Sequence, residues 1–169
     1  PLWVPPMVDD MRTVMNPTRH PYFRHSEACF LVAESEGSVV GRVAVLNHKR
    51  FNQCRQQNTA LFYYLDAIDD QQVCCELVET AARWARERGL KQIIGPKGFL
   101  QADGHGILVE GFEHRPAMGI PYNYPYYEAL LAGCGFTKVT DYFSGYLNRQ
   151  EGLPERYFQV ADQVRARRG

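Results

Sequence analysis

Apolar positions change period twice within one stretch, Leu61 to Pro96, LFYYLDAIDDQQVCCELVETAARWARERGLKQIIGP. Leu61 to Leu65 is a continuous apolar and aromatic run, as in a strand buried on both faces. Val73, Leu77, Ala81, Trp84 and Ala85 then fall on a single helical stripe. Asp69 and Asp70 stand where a helix is capped, and Asp69 with Gln72 has the spacing of a capping box. Arg86 and Arg88 sit in the last turn, where the helix dipole favours cations, and Gly89 supplies the stop. Gln92 to Ile94 opens a second strand, which Gly95-Pro96 breaks. A strand–helix–strand crossover of this length predicts parallel strands and a right-handed connection.

The same reading extends along the chain. Ala28 to Leu46, ACFLVAESEGSVVGRVAVL, has two apolar runs around Ser35-Glu36-Gly37, with glycine where positive φ is wanted, and predicts a β-hairpin. Asn47 to Asn58 is polar and basic and reads as a loop. Pro1 to Phe23 is proline-rich and aperiodic, an expected extended arm anchored by Trp3 and by Tyr22 or Phe23. After Pro96, the glycine-rich KGFLQADGHGILVEGFEHRPAMGIPY is too long for a plain connection and reads as a functional loop or lid. Pro125 to Gly133 is an expected short helix, capped by Asn123. Thr137 to Asn148 alternates as one or two strands would. Leu153 to Arg168 predicts a helix with Tyr157, Phe158, Val160, Ala161 and Val164 as a partial apolar face. The expected organisation is an arm over residues 1–27, an α/β domain over 28–148, and a C-terminal helix over 149–169 leading to a further domain.

Composition narrows the function classes. A chain of 169 residues suits one domain with a full core. Lysine plus arginine equals aspartate plus glutamate, 19 of each, which counts against a dedicated nucleic-acid surface. No apolar run approaches a membrane span and no N-terminal signal pattern is visible, so no membrane partner is expected. The sequence opens on Pro1, as a fragment or a processed chain does. Cys29, Cys54, Cys74, Cys75 and Cys134 are odd in number and lack metal-ligand spacing. They read as buried thiols in a reducing compartment, with cytoplasmic localisation expected. His20 and His25 bracket the end of the arm without placed carboxylate or cysteine partners, so no metal is expected. There is no G-x-S-x-G elbow and no phosphate-binding P-loop motif.

The order hairpin, strand, helix, strand, helix, strand pair resembles the GNAT superfamily of acyl-CoA N-acyltransferases over about Ala28 to Asn148. FLVAESEGSVVGRVAVL is similar to the second and third strands of that fold. ELVETAARWARERGLKQI resembles its central helix and following strand, and YYEALLAGCGFTKVTDY its late helix, closing glycine-phenylalanine and next strand. The fold so implied is α/β, a mixed, partly parallel sheet flanked by helices, in an uncharacterised bacterial branch of the superfamily.

The resemblance implies acetyl-CoA or another acyl-CoA as co-substrate, held in a cleft where two parallel strands splay apart. Its pantetheine arm would pair with backbone around Tyr64, Leu65 and Asp66. Its pyrophosphate would sit on the helix N-terminus, at Gln71, Gln72, Val73 and Cys74. The family pattern Q/R-x-x-G-x-G/A falls on Asp69 to Cys74, DDQQVC, where both glycines are absent and Asp69 takes the basic or glutamine position. A tyrosine that protonates the departing thiolate would align with Leu131; Tyr127 lies one turn earlier on the same face. Asn123 is one residue from a position that contacts the cofactor. Asp66 is the first choice of base, with His105, Glu110, Glu113 and His114 of the glycine-rich loop as alternatives. The bland reading, favoured for these residues, is that Tyr126 and Tyr127 pack and that Asp69 and Asp70 cap the helix.

The expected function is therefore transfer of an acyl group from a CoA thioester to an amine of a small molecule or peptide. The alternative is a non-catalytic GNAT-like module, or one half of a tandem GNAT protein with a degenerate CoA site, with a homodimer or additional domain completing it. A nucleic-acid adaptor, suggested by Arg165, Arg167 and Arg168, is disfavoured by the neutral total charge.

Overall fold

A computed structural model describes residues 2–100, 103–145 and 152–168. Its centre is a four-stranded mixed sheet of β1 (Glu27–Ser35), β2 (Ser38–Asn47), β3 (Thr59–Ala67) and β4 (Gln92–Ile94), in that spatial order. The fold is thus α/β with one parallel pair, β3 with β4. Strands β1 and β2 are antiparallel and joined by a tight turn, with Glu36 and Gly37 both at positive φ (51° and 77°). That is the backbone a two-residue hairpin requires, and glycine accepts it without strain.

Helix α3 (Gln71–Arg86) covers one face of the sheet. Leu77, Ala81 and Ala85 are buried against Val43, Val45, Ala60 and Phe62, with Val73 and Trp84 partly buried on the same cluster. The cap is Asp70 rather than the expected Asp69–Gln72 box: Asp70 Oδ1 accepts from Gln72 N–H (2.8 Å) and Val73 N–H (3.2 Å). Gln72 instead donates to Glu76 one turn along (2.9 Å). Gly89 follows the helix at φ 72°.

The opposite face is covered by the N-terminal arm, which is not simply extended. It forms α1 (Val8–Val14) and a 3-10 turn over Pro21–Arg24. Tyr22 is the anchor, 3 % exposed and packed with Ala44, Leu46, Leu61 and Phe99, whereas Trp3 is 55 % exposed and anchors nothing. The expected loop 47–58 contains α2 (Lys49–Arg55), whose first turn is capped by His48 Nδ1 accepting from Phe51 N–H. Its Asn52 is buried and bonds both the N–H and the C=O of Thr59 at the start of β3. A polar side chain facing the sheet this way leaves no apolar stripe for a sequence reading to find.

Beyond β4, α4 (Tyr127–Gly133) packs on α3. Gly133 leaves room for the Gln71 side chain, since a Cβ there would lie 2.3 Å from its amide. Residues 137–145 form no strand among the described residues, contrary to expectation, and 146–148 lie outside them. Val139, Tyr142 and Phe143 are exposed, so their alternation has no sheet to bury it. Helix α5 (Glu155–Arg168) leaves Tyr157, Phe158, Val160 and Val164 exposed. Of the five thiols, Cys74 is buried, Cys54 exposed and the rest half-buried, so the expectation of uniform burial is corrected. No helix among the described residues is long and apolar enough to cross a membrane.

Candidate active site at the splay of the parallel strands

Strands β3 and β4 pair from Thr59–Gln92 to Leu61–Ile94 and then part. Gly95 makes the departure possible, because a Cβ there would lie 2.4 Å from Phe62 O. Lys97 N–H still reaches Phe62 O (2.8 Å), after which β3 runs on to Ala67 with no β4 residue opposite it. The strands thus diverge as a wedge, along which Tyr63, Tyr64 and Leu65 of β3 are half-buried.

The same segment of β3 carries a bulge. Arg42 and Ala44 of β2 face Asp66 and Tyr63, so three steps along β3 match two along β2. The extra residue is Tyr64, held at φ 51°, a conformation seldom adopted by an aromatic residue. The bulge resets the facing of the strand. Tyr63 and Tyr64 both pack on the arm side, their rings 4.3 Å apart, and Leu65 returns to the α3 side. Tyr64 is tied down by Phe99 (rings 6.3 Å apart) and by its hydroxyl donating to Met11 Sδ at 3.6 Å. Burial pushes its phenol well above the usual tyrosine range.

At the far end of the wedge the two residues singled out as candidate catalysts meet. Tyr127 Oη donates to Asp66 Oδ1 (2.8 Å) and accepts from Ala67 N–H (3.0 Å). Tyr126 Oη donates to Ala67 O (3.0 Å), and the rings of Tyr126 and Tyr127 stack at 5.0 Å. Two tyrosines at the start of α4 thereby continue the hydrogen bonding of β3 where β4 has left. Tyr127 is 4 % exposed, and burial foremost, then the Asp66 carboxylate, drives its pKa upward. Asp66 itself is exposed and makes a long ion pair with Arg42 (3.4 Å). A carboxylate oriented by a buried phenol and open to the wedge can accept a proton from a bound amine.

The expected phosphate cradle is different from its sequence-based picture. The N–H groups of Gln72 and Val73 are already occupied by Asp70. The side chain of Gln71 turns inward, bonding Leu130 O (2.9 Å) and the sulfurs of Cys75 and Cys134. Cys74 is fully buried, its N–H bonded to Asp70 O within the helix. Asn123 neither caps α4 nor faces β3. It clamps the glycine-rich segment, Oδ1 accepting from Leu108 N–H (2.6 Å) and Nδ2 donating to Leu108 O (3.1 Å). In that segment His105 bonds the Asp103 carbonyl and packs on Tyr142, while Glu113 and His114 pair at the surface (3.2 Å). Sequence reasoning missed the bulge at Tyr64 and the part Tyr126 plays; neither has a local signature.

No family model and no solved structure matches the chain. Two curated relatives do. Protein YghO of Escherichia coli is 28 % identical over 166 residues, which is 98 % of this chain and 42 % of that protein. Bacterial ceramide synthase of Caulobacter vibrioides is 26 % identical over 160 residues, 92 % of this chain and 41 % of that protein. The chain therefore spans about two fifths of the length of the curated relatives it matches.

Proposed function

We propose that this chain carries the donor-binding and proton-transfer part of a GNAT-like N-acyltransferase, joining an acyl group from an acyl-CoA to an amine. The observation that supports it most is the bulged, splayed β3 ending at Asp66 and Tyr127. Backbone at Tyr64 and Leu65 that no β4 residue faces would suit the amides of a pantetheine arm, and the wedge an extended thioester. In this reading the amine nitrogen attacks the thioester carbon, and strand N–H groups hold the carbonyl oxygen. The C–S bond breaks, the amine proton passes to Asp66, and the thiolate takes a proton from Tyr127 or water. The burial of Tyr127 favours water for that last step and makes the tyrosine a positioning residue for Asp66.

The acceptor class follows from the name of the Caulobacter relative. A ceramide is the amide of a fatty acid with a long-chain amino alcohol, so its synthesis from an acyl donor is N-acylation of such an alcohol. We propose a long-chain amino alcohol as the amine and a fatty acyl-CoA as the donor, with cytoplasmic localisation to match. The test is release of CoA and formation of the amide, by mass spectrometry, with wild type, Asp66→Asn and Tyr127→Phe. Amide formed by wild type and lost in Asp66→Asn, with the fold intact, supports the reading; equal turnover in all three contradicts it.

A second reading is favoured by one observation, the Asp70 carboxylate seated on the helix N–H groups where a pyrophosphate would lie. An anion there meets like charge and no free donor at Gln72 or Val73. On this reading the chain is a non-catalytic half of a larger protein, and it binds neither CoA nor acyl-CoA.

A further inference from the structure

A separate cavity of about 310 Å³ lies on the arm side of the sheet, lined by His20, Tyr22, His25, His48, Arg50 and Phe99. It sits by the Glu27–Asn47 end of the β1–β2 ladder, whereas Asp66 lies opposite Arg42 toward the other end. It takes no part in the acyl-transfer reading.

Two of its three imidazoles accept a backbone N–H at Nδ1. His20 Nδ1 accepts from Tyr22 N–H (3.3 Å) and His48 Nδ1 accepts from Phe51 N–H (3.2 Å). Ser26 Oγ accepts from Lys49 N–H (3.1 Å) and meets His25 Nδ1 at 2.7 Å. A neutral imidazole that accepts at Nδ1 carries its proton at Nε2. His20 and His48 thus each keep an Nε2–H to donate. The His25 and His48 rings are 5.8 Å apart, with Tyr22 packed edge-on to both.

Two cations, Arg50 and Lys97, act on the His48 ring of the cavity. Arg50 is exposed at its mouth and has no acidic partner among the described residues. Lys97 lies over the Phe51 ring (4.6 Å). The neighbouring carboxylate, Glu27, is engaged by Lys49 (2.9 Å) and Arg88 (3.1 Å) and does not neutralise Arg50. Burial foremost, then the neighbouring His25, Lys97 and Arg50, pushes the His48 pKa down, and burial followed by Arg50 does the same for His25. Rings offering N–H donors beside a guanidinium with no acidic partner among the described residues make a receptor for an anion. Several donors from separate elements suit a tetrahedral oxyanion, and the guanidinium fork matches two of its oxygens.

We propose that this cavity binds a phosphate group through the Nε2–H donors of His20 and His48 and the guanidinium of Arg50, with the His25 ring beside them. Phe99 and the exposed Leu100 form an apolar wall that would take the chain of a phosphate monoester. The test is titration of the protein with inorganic phosphate and with octyl phosphate, read by the ring ¹⁵N and ¹H signals of the histidines. Wild type and the distant surface variant Arg165→Ala are expected to show saturable shifts at His25 and His48. Arg50→Ala is expected to bind about tenfold more weakly or worse, as loss of a charge-assisted contact implies. Tighter binding of octyl phosphate would identify a lipid-like phosphate as the ligand, and equal binding a free phosphate; either supports the site. No saturable shift with either probe, or equal affinity in Arg50→Ala, overturns it. Because neither probe is a CoA thioester, the outcome is independent of the acyl-transfer reading.

Discussion

Tyr127 Oη donates to Asp66 Oδ1 at 2.8 Å while accepting the N–H of Ala67 at 3.0 Å. One buried hydroxyl therefore orients the carboxylate and closes the hydrogen bonding of β3. Removing it in Tyr127→Phe leaves a buried N–H without a partner, and a loss of about 1–3 kcal/mol in unfolding free energy is expected. Asp66→Asn keeps an acceptor oxygen in place and is exposed, so its stability should change by less than about 0.5 kcal/mol. Denaturant titration of the two variants separates the structural from the chemical role. Equal destabilisation would contradict the asymmetry.

Gly133 and Gln71 form a matched pair across the α3–α4 contact. In Gly133→Ala the new methyl displaces the Gln71 amide from Leu130 O and crowds the interface. The expected cost is about 1–3 kcal/mol. Gln71→Ala combined with Gly133→Ala should cost less than the sum of the two single variants. Strict additivity in a double-mutant cycle would show that they do not interact.

Asp70 caps α3 and in doing so occupies the N–H groups of Gln72 and Val73. Asp70→Gly is expected to lower stability only slightly, by a few tenths of a kcal/mol up to about 1 kcal/mol. It also frees those donors and removes a negative charge. If acyl-CoA phosphates use this helix end, calorimetry should show tighter CoA binding in Asp70→Gly than in wild type. Unchanged affinity would move the phosphates elsewhere.

The buried phenols make stability sensitive to alkaline pH. Burial raises Tyr22 and Tyr127 from the ordinary value of 10.0, so both stay protonated in the folded protein where the unfolded chain ionises. Above pH 10.0 the unfolded state binds fewer protons than the folded one, and stability falls as pH rises. Each such tyrosine contributes a slope of about 1.4 kcal/mol per pH unit until its folded form also ionises. Urea midpoints measured between about pH 9 and about pH 11 should drop, and drop less in Tyr22→Phe. A flat profile would contradict the burial of these hydroxyls.

What the sequence revealed follows physical locality. The strand–helix–strand unit was readable because Leu61, Val73, Leu77, Ala81 and Ile94 record their facing in their spacing. The hairpin was readable because Gly37 marks its turn. Helix α2 was not, because its cap is a histidine ring and its inward residue, Asn52, is polar. The alternation of Val139, Tyr142 and Phe143 promised strands, yet alternation alone supplies no partner strand. At the site, Asp66 and Tyr127 were picked for separate roles; the bond between them is a tertiary fact, joining residues from β3 and α4. Tyr64 gave no sign of its positive φ, which the mismatched register with β2 imposes. Asn123, read as a cap or cofactor contact, satisfies the backbone of Leu108, a partner no spacing rule connects to it.

We propose that the wedge beyond Leu61 and Ile94 holds an acyl-CoA. Calorimetric titration of wild type and Arg50→Ala with acetyl-CoA and a fatty acyl-CoA tests it most directly. Micromolar binding that is unchanged by Arg50→Ala is the predicted result, since the wedge is separate from the histidine-lined cavity. Absence of binding at millimolar ligand in a folded protein, or binding that disappears with Arg50→Ala, would contradict it.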